Sequence, residues 1–199
     1  MRQIQTTTEK IRAFGILEDS FKDSLGMNWM IRNTKSHNSK KTIIRLMYNE
    51  AASKNGAFIT DDNNGVVLFF QIQNKKFTFN NLCRAIFIFL FITGVNNGLK
   101  AIKYKKLIAS IRPKSGWLGL LVATDQNSKD RVAAYEIKQE MFRIADEHNE
   151  CIYLETTVPR VRVLYRAAGY IEYSEIKHPY ADLTIWFFRR DPFTYSRNK

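Results

Sequence analysis

Apolar positions change period several times along this chain, and each change marks an element. Over residues 8–17, Ile11, Phe14 and Ile16 or Leu17 fall on one side of a helix. The polar run GMNWMIRNTKSHNSKK (26–41) breaks that pattern and reads as a loop or short turn, with Ser39 placed to cap the next helix. Ile43, Ile44, Met47, Tyr48 and Ala51 then recur at helical spacing until Asn55-Gly56 stops them. The run AFITDDNNGVVLFFQIQN (57–74) is two strands around an Asp-Asp-Asn-Asn-Gly turn, a hairpin signal.

A helical hairpin is expected next, with arms at 81–93 and 99–111, a break at 94–98 and Pro113 as its end. GWLGLLVAT (116–124) is apolar at successive positions, as a strand covered on both faces must be. A polar loop leads from it into a helix whose stripe is Ala134, Ile137, Met141, Ile144 and His148. CIYLET (151–156) is a short central strand, and VPRVRVLYRAAGY (158–170) holds a short helix ending at Gly169, a glycine fit for a left-handed C′ residue. Two last strands, 171–176 and 183–189, flank KHPYAD as a closing hairpin. The order is helices, hairpin, helical insert, then βαβαββ, which is a mixed α/β domain.

Composition narrows this picture. With 199 residues, 45% hydrophobic and 25% charged, the chain suits one core, and a single domain over 1–199 is expected, its helical insert at about 78–112. Cys83 and Cys151 lie far apart in apolar surroundings, which fits reduced thiols inside a cell. The greasiest run, AIFIFLFITGV, has eleven residues where a span needs ~20, and the first twelve residues lack the apolar stretch of a secretion signal, so a cytoplasmic protein is expected. The net charge of +12 is unevenly placed. No acidic residue occurs between Asp62 and Asp125, a stretch holding Lys75, Lys76, Arg84, Lys100, Lys103, Lys105, Lys106, Arg112 and Lys114. Such a region favours an anionic partner: a nucleotide cofactor, a nucleic acid or a membrane surface. A solvated face without a partner is the plain alternative.

Three stretches together resemble a known family: the strand–loop–helix at 120–148, IYLETTVPRVRVLYRAAGY at 152–170, and the closing strand ending in WFFRRDP at 186–192. They are similar to the C-terminal half of the GNAT (Gcn5-related N-acetyltransferase) acyltransferases, in which a strand, a Q/R-x-x-G-x-G/A loop and a helix precede L-Y-x-x-x-G-F. LYRAAGY is the most specific of the matches. The resemblance implies an α/β (α+β) fold with a mixed, mostly antiparallel central sheet flanked by helices, and a helical insertion before the central strand. It implies transfer of an acetyl or other acyl group from acetyl-CoA to a primary amine of a small molecule or protein. The acyl donor's pantetheine arm would lie along Leu121, Val122 and Ala123, and its pyrophosphate would rest on N–H groups of Asn127, Ser128, Lys129, Asp130, Arg131 and Val132. Tyr165 stands where the family has its general acid. Homodimers paired through terminal strands are common in related folds.

The chain departs from the family at two points. Asp130 and Val132 replace the small residues of the phosphate loop. A carboxylate ~4 Å from a phosphate costs on the order of 4 kcal/mol at an effective dielectric of 20, unless Lys129 and Arg131 neutralise it. The central strand offers no titratable side chain, so a base must come from elsewhere; Glu155 on the next strand and His178 in the last hairpin loop are the candidates. Each has a structural reading too, as an ion-paired or packed side chain. Arg160 and Arg162 either reach phosphates or cover a helix surface, and Trp29, Trp186, Phe187, Phe188 and Phe193 either line an acceptor pocket or fill the core. The acceptor pocket is expected between the loop around Trp29, the insert and the last hairpin. Scattered histidines and distant cysteines give no metal-ligand spacing, so no metal is expected. The insert matches no nucleic-acid motif, and charge alone keeps such a partner in view. The other reading is a catalytically inactive GNAT-like binding module with a basic surface for an anionic partner.

Overall fold

The structure is a computed structural model, and it describes residues 1–29, 37–74, 94–128 and 132–193. Among these, seven strands form one sheet in the order β1-β2-β3-β4-β5-β7-β6. The strands are β1 (Arg2–Gln3), β2 (Ala57–Ile59), β3 (Gly65–Gln71), β4 (Trp117–Thr124), β5 (Ile152–Thr156), β6 (Ile171–Lys177) and β7 (Thr184–Arg190). The helices are α1 (Thr7–Phe21), α2 (Leu25–Asn28), α3 (His37–Ser53), α4 (Gly94–Ile111), α5 (Val132–Glu147) and α6 (Pro159–Ala167). Only β4 and β5 run parallel; the other neighbours are antiparallel.

Alternation along the strands decides which helix covers which face. Ala13, Ile16 and Leu17 of α1, Met27 of α2, and Ile44, Tyr48 and Ala51 of α3 pack on Val66, Leu68, Phe70, Leu118, Leu121 and Ala123. The opposite side chains, Val67, Phe69, Ile152, Leu154, Trp186 and Phe188, meet Ile137, Met141 and Ala145 of α5, with Tyr165 beside them. On β7, Ile185 and Phe187 alternate with Trp186 and Phe188, so they face the α1–α3 side, where Ile108 and Tyr104 of α4 cover them. One face of the sheet therefore carries two separate covers, α1–α3 over its first half and α4 over its second.

Several local expectations shift. The helix predicted from residue 8 starts at Thr7, because Thr6 and Glu9 form a reciprocal capping box. Ser39 lies inside α3 rather than at its cap, since that helix already begins at His37. The expected break at 94–98 is the first turn of α4, entered at Gly94 with φ 72°. The stripe of α5 runs through Ala133 and Ala145, while Ala134 and His148 are exposed. The first arm of the expected helical hairpin and Cys83 lie outside the described residues. Gly169 does end α6, at φ 95°, and Cys151 is a free thiol. No described helix is long and apolar enough to cross a membrane.

Candidate functional site

The geometry of interest begins where β4 parts from its neighbours. Across from β3, Leu68 faces Leu121 and Phe69 faces Gly119, so Leu120 is an extra residue, a bulge that bends the strand. On the other edge, β4 pairs with β5 only over Trp117–Gly119 against Ile152–Leu154. Beyond that point β5 continues alongside β7, through Glu155 opposite Phe187 and Thr156 opposite Trp186. Gly119 sits at the fork, and a Cβ there would lie 2.4 Å from Leu154 Cδ2 and 3.1 Å from Met141 Cε. Past the fork, β4 over Leu121, Val122 and Ala123 has no strand partner on its β5 edge among the described residues.

Both helices that come after the parallel pair start at the open end. α5 begins at Val132 after β4, and α6 begins at Pro159 after β5, so each helix start follows the C-terminal end of one strand of the parallel pair. Closer to β4 the loop is tied to itself. Asn127 N–H donates to Asp125 Oδ1 (2.8 Å), Ser128 N–H donates to the Asp125 carbonyl (3.2 Å), and Arg12 holds the same carboxylate at 2.5 Å. These contacts keep the Asp125 carboxyl below its ordinary range, the Asn127 N–H contributing most. Asp125 is thus the centre of an Asx turn rather than the cap of α5. Lys129, Asp130 and Arg131 lie outside the described residues; Val132 is exposed at the start of α5.

The three titratable candidates divide between the faces. Tyr165 points from α6 into the α5 side, its ring 5.4 Å from Phe188 and 5.7 Å from Tyr170, and burial pushes its phenol up to about 12. Glu155 and His178 are on the other face. Both Nε and Nη2 of Arg112, just after α4, donate to Glu155 Oε1 at 2.7 Å. Buried His178 lies in the β6–β7 turn, and its Nδ1 accepts the Tyr180 N–H at 3.1 Å. That bond puts the neutral ring's proton on Nε2, an arrangement suited to donating there rather than to acting as a base. Burial lowers its pKa, which keeps it neutral near pH 7.

Three segments distant in sequence meet around this imidazole. Trp29, just past α2, lies 4.8 Å from it; Tyr104 of α4 stacks on it at 4.7 Å; Tyr180 stands 6.3 Å away. Gly26 brings α2 down over Thr157 at the end of β5, with 3.1 Å left for a Cβ. The cluster therefore joins α2, α4 and the β6–β7 turn, with α2 lying over the end of β5. Trp186 does not join it. That ring packs on the α5 side, its Nε1 donating to Glu175, while Arg162, which binds Glu172 through two nitrogens, stacks over it at 4.7 Å. Phe187 and Phe188 fill the core, Phe193 is exposed, and Arg160 is exposed. His148 bonds its own helix through the Ile144 carbonyl, and the side chain of His37 lies outside the described residues. Arg112, Asp125 and Arg12 carry much of this geometry without a motif; only the Asp-Gln-Asn turn at 125–127 left a trace in the sequence.

No family model and no curated protein matches the chain. Solved structures do. A histone acetyltransferase HPA2 and related acetyltransferase from Corynebacterium glutamicum superimposes with a TM-score of 0.61 at 15% identity, covering 96% of both chains. The chain has the GNAT fold. Mosquito arylalkylamine N-acetyltransferase like 5b shares it at TM-score 0.60 and 11% identity, covering 95% of this chain and 98% of its own. The polyamine N-acetyltransferase of Drosophila melanogaster shares it at 0.59 and 7%, covering 96% and 98%. In the sheet order the parallel pair stands fourth and fifth of seven strands. Among the described residues no group of three or more His, Cys, Asp or Glu is placed to hold a metal.

Proposed function

We propose that the chain is an N-acyltransferase that moves an acyl group from acetyl-CoA to a primary amine. The observation that carries this reading is the fork: a bulged central strand whose β5 edge has no strand partner past Gly119 among the described residues, with a helix start after each strand of the parallel pair. An unpaired strand edge binds an extended amide-bearing chain as an added strand would. Leu121, Val122 and Ala123 would hold the pantetheine arm. The anionic end falls to Lys129, Asp130, Arg131 and Val132 with the start of α5, because Asn127 and Ser128 already donate to Asp125. Acetyl-CoA supplies an activated acyl group on a thiol leaving group.

The chain's own residues supply the rest. The incoming amine must lose a proton to attack; we assign that proton to Glu155 through water, with Arg112 holding its carboxylate. A backbone N–H on the free edge of β4 stabilises the negative oxygen as the N–C bond forms. As the C–S bond breaks, Tyr165 Oη gives its proton to the departing thiolate; the nitrogen's second proton, lost once the N–C bond has formed, restores Tyr165, and the proton first taken by Glu155 leaves to solvent. A phenol near 12 always carries the proton it must donate, though it releases that proton reluctantly. Solved relatives whose names specify arylalkylamines or polyamines support an amine acceptor. The test is release of free thiol from acetyl-CoA on adding amines, with mass detection of the acylated product. Thiol release that requires an amine supports the reading; none with any primary amine refutes it.

One observation favours the second reading, a catalytically silent binding module. The turn after β4 binds its own aspartate where an enzyme would leave N–H groups free. That reading predicts no acetyl-CoA binding at all.

A further inference from the structure

We propose that Trp29, Tyr104, His178 and Tyr180 form the acceptor subsite and select an aromatic monoamine over a polyamine; this rests on the acyltransferase reading above. The first observation is an unpaired donor. His178 is 6% exposed, its Nδ1 faces its own turn, and its Nε2 has no hydrogen-bond partner among the described residues. Buried polar atoms are rarely left so unless something outside the chain satisfies them. Nε2 is separated from Nδ1 by Cε1, so its N–H is directed away from the Tyr180 N–H that Nδ1 accepts.

The second observation is what surrounds it. Trp29 meets Tyr104 at 5.0 Å and Tyr180 at 5.7 Å, so three half-buried rings from three segments wall one imidazole. Asn28, the last residue of α2, adds a second unpaired buried atom, the acceptor Oδ1. Flat rings with one donor and one acceptor suit an aromatic ring bearing a polar substituent.

The third is charge. Lys100 Nζ sits 5.8 Å from the Tyr180 ring, and the insert beside it carries Lys103, Lys105 and Lys106 without an acid. Of the carboxylates on this side, Glu155 is held by Arg112, which leaves exposed Asp182 of the β6–β7 turn as a single partner for an ammonium. A polyamine needs free carboxylates for its several charges and would meet lysines instead. A single ammonium needs only one partner, and the aromatic faces help to hold it.

The full chain is titrated calorimetrically with tryptamine and with spermidine, and initial acylation rates are measured for both. Tryptamine is expected to bind about tenfold tighter or more. His178→Phe is expected to raise the tryptamine KM about tenfold and leave the acetyl-CoA KM unchanged, while His178→Gln, which keeps an N–H donor, recovers most of the loss. Tyr104→Leu is a second variant, expected to weaken tryptamine alone. Spermidine binding as tightly as tryptamine, or an unchanged tryptamine KM in both His178→Phe and Tyr104→Leu, overturns the subsite. Tryptamine binding without acylation upholds the subsite and removes the acyltransferase reading. Acylation of spermidine in preference to tryptamine does the reverse.

Discussion

Tyr165 and His178 show how neighbours decide a side chain's chemistry. His178 is buried and Tyr165 half-buried; the Nδ1 of His178 accepts a backbone N–H, which fixes its tautomer. Tyr165 is held between Phe188 and Tyr170 with its phenol pushed up to about 12. Tyr165→Phe preserves that ring packing and removes only the proton. We expect kcat to fall by about 10²-fold, the range of a lost general acid, with the acetyl-CoA KM and Tm unchanged. Equal loss of kcat and of Tm in steady-state and melting measurements marks Tyr165 as a packing residue. Its position was legible in LYRAAGY, and so was Gly169 as the glycine that lets α6 stop. The tautomer of His178 was not legible, because it depends on a turn closing two residues later. The aromatic cluster was legible only as a rough locality; Trp29, Tyr104 and Tyr180 share no periodicity, and topology alone joins them.

Among elements, the fork and the covers matter most. The apolar run of β4 announced a central strand, but a bulge at Leu120 leaves no mark in a stretch where every residue is apolar. For the same reason the α5 stripe lay one residue off: alanines occupy both 133 and 134, and it is Ala133 that is buried, against Gly65 of β3. β1 has two residues, too few to show any period. The link between α4 and β5 is the Arg112–Glu155 ion pair. If Glu155 takes the amine's proton, Glu155→Gln lowers kcat/KM by about 10²-fold at pH 7 and regains much of it at high pH, where the amine is already neutral. A loss that stays constant across the pH–rate profile assigns Glu155 to holding α4 in place.

For the whole molecule, pH separates two sets of groups. Burial lowers the His178 pKa from its ordinary 6.5, so the unfolded chain takes up that proton first. Its contribution to stability is complete above about 6.5 and declines as pH falls through the lower folded value. Trp29, Tyr104 and Tyr180 pack around it, and it is this burial that disfavours the cation. Carboxyls held below their ordinary range, among them Glu9 at about 2, Asp62, Asp125, Asp146 and Glu172, lose their contribution only at more acid pH. Melting curves from pH 8 to 5 should therefore show a decline in Tm below about 6.5 that His178→Gln flattens; an unchanged slope in that variant assigns the decline to other groups.

The central claim is that the forked β4–β5 edge and the α5 start bind an acyl-CoA, and thermal melting tests it directly. Acetyl-CoA at 100 times its dissociation constant adds about 2.7 kcal/mol to the folded state. For a chain of this size that raises Tm by roughly 5–10 °C. The account predicts that rise at millimolar acetyl-CoA; a Tm unmoved by it contradicts the account and leaves the GNAT fold as a binding framework.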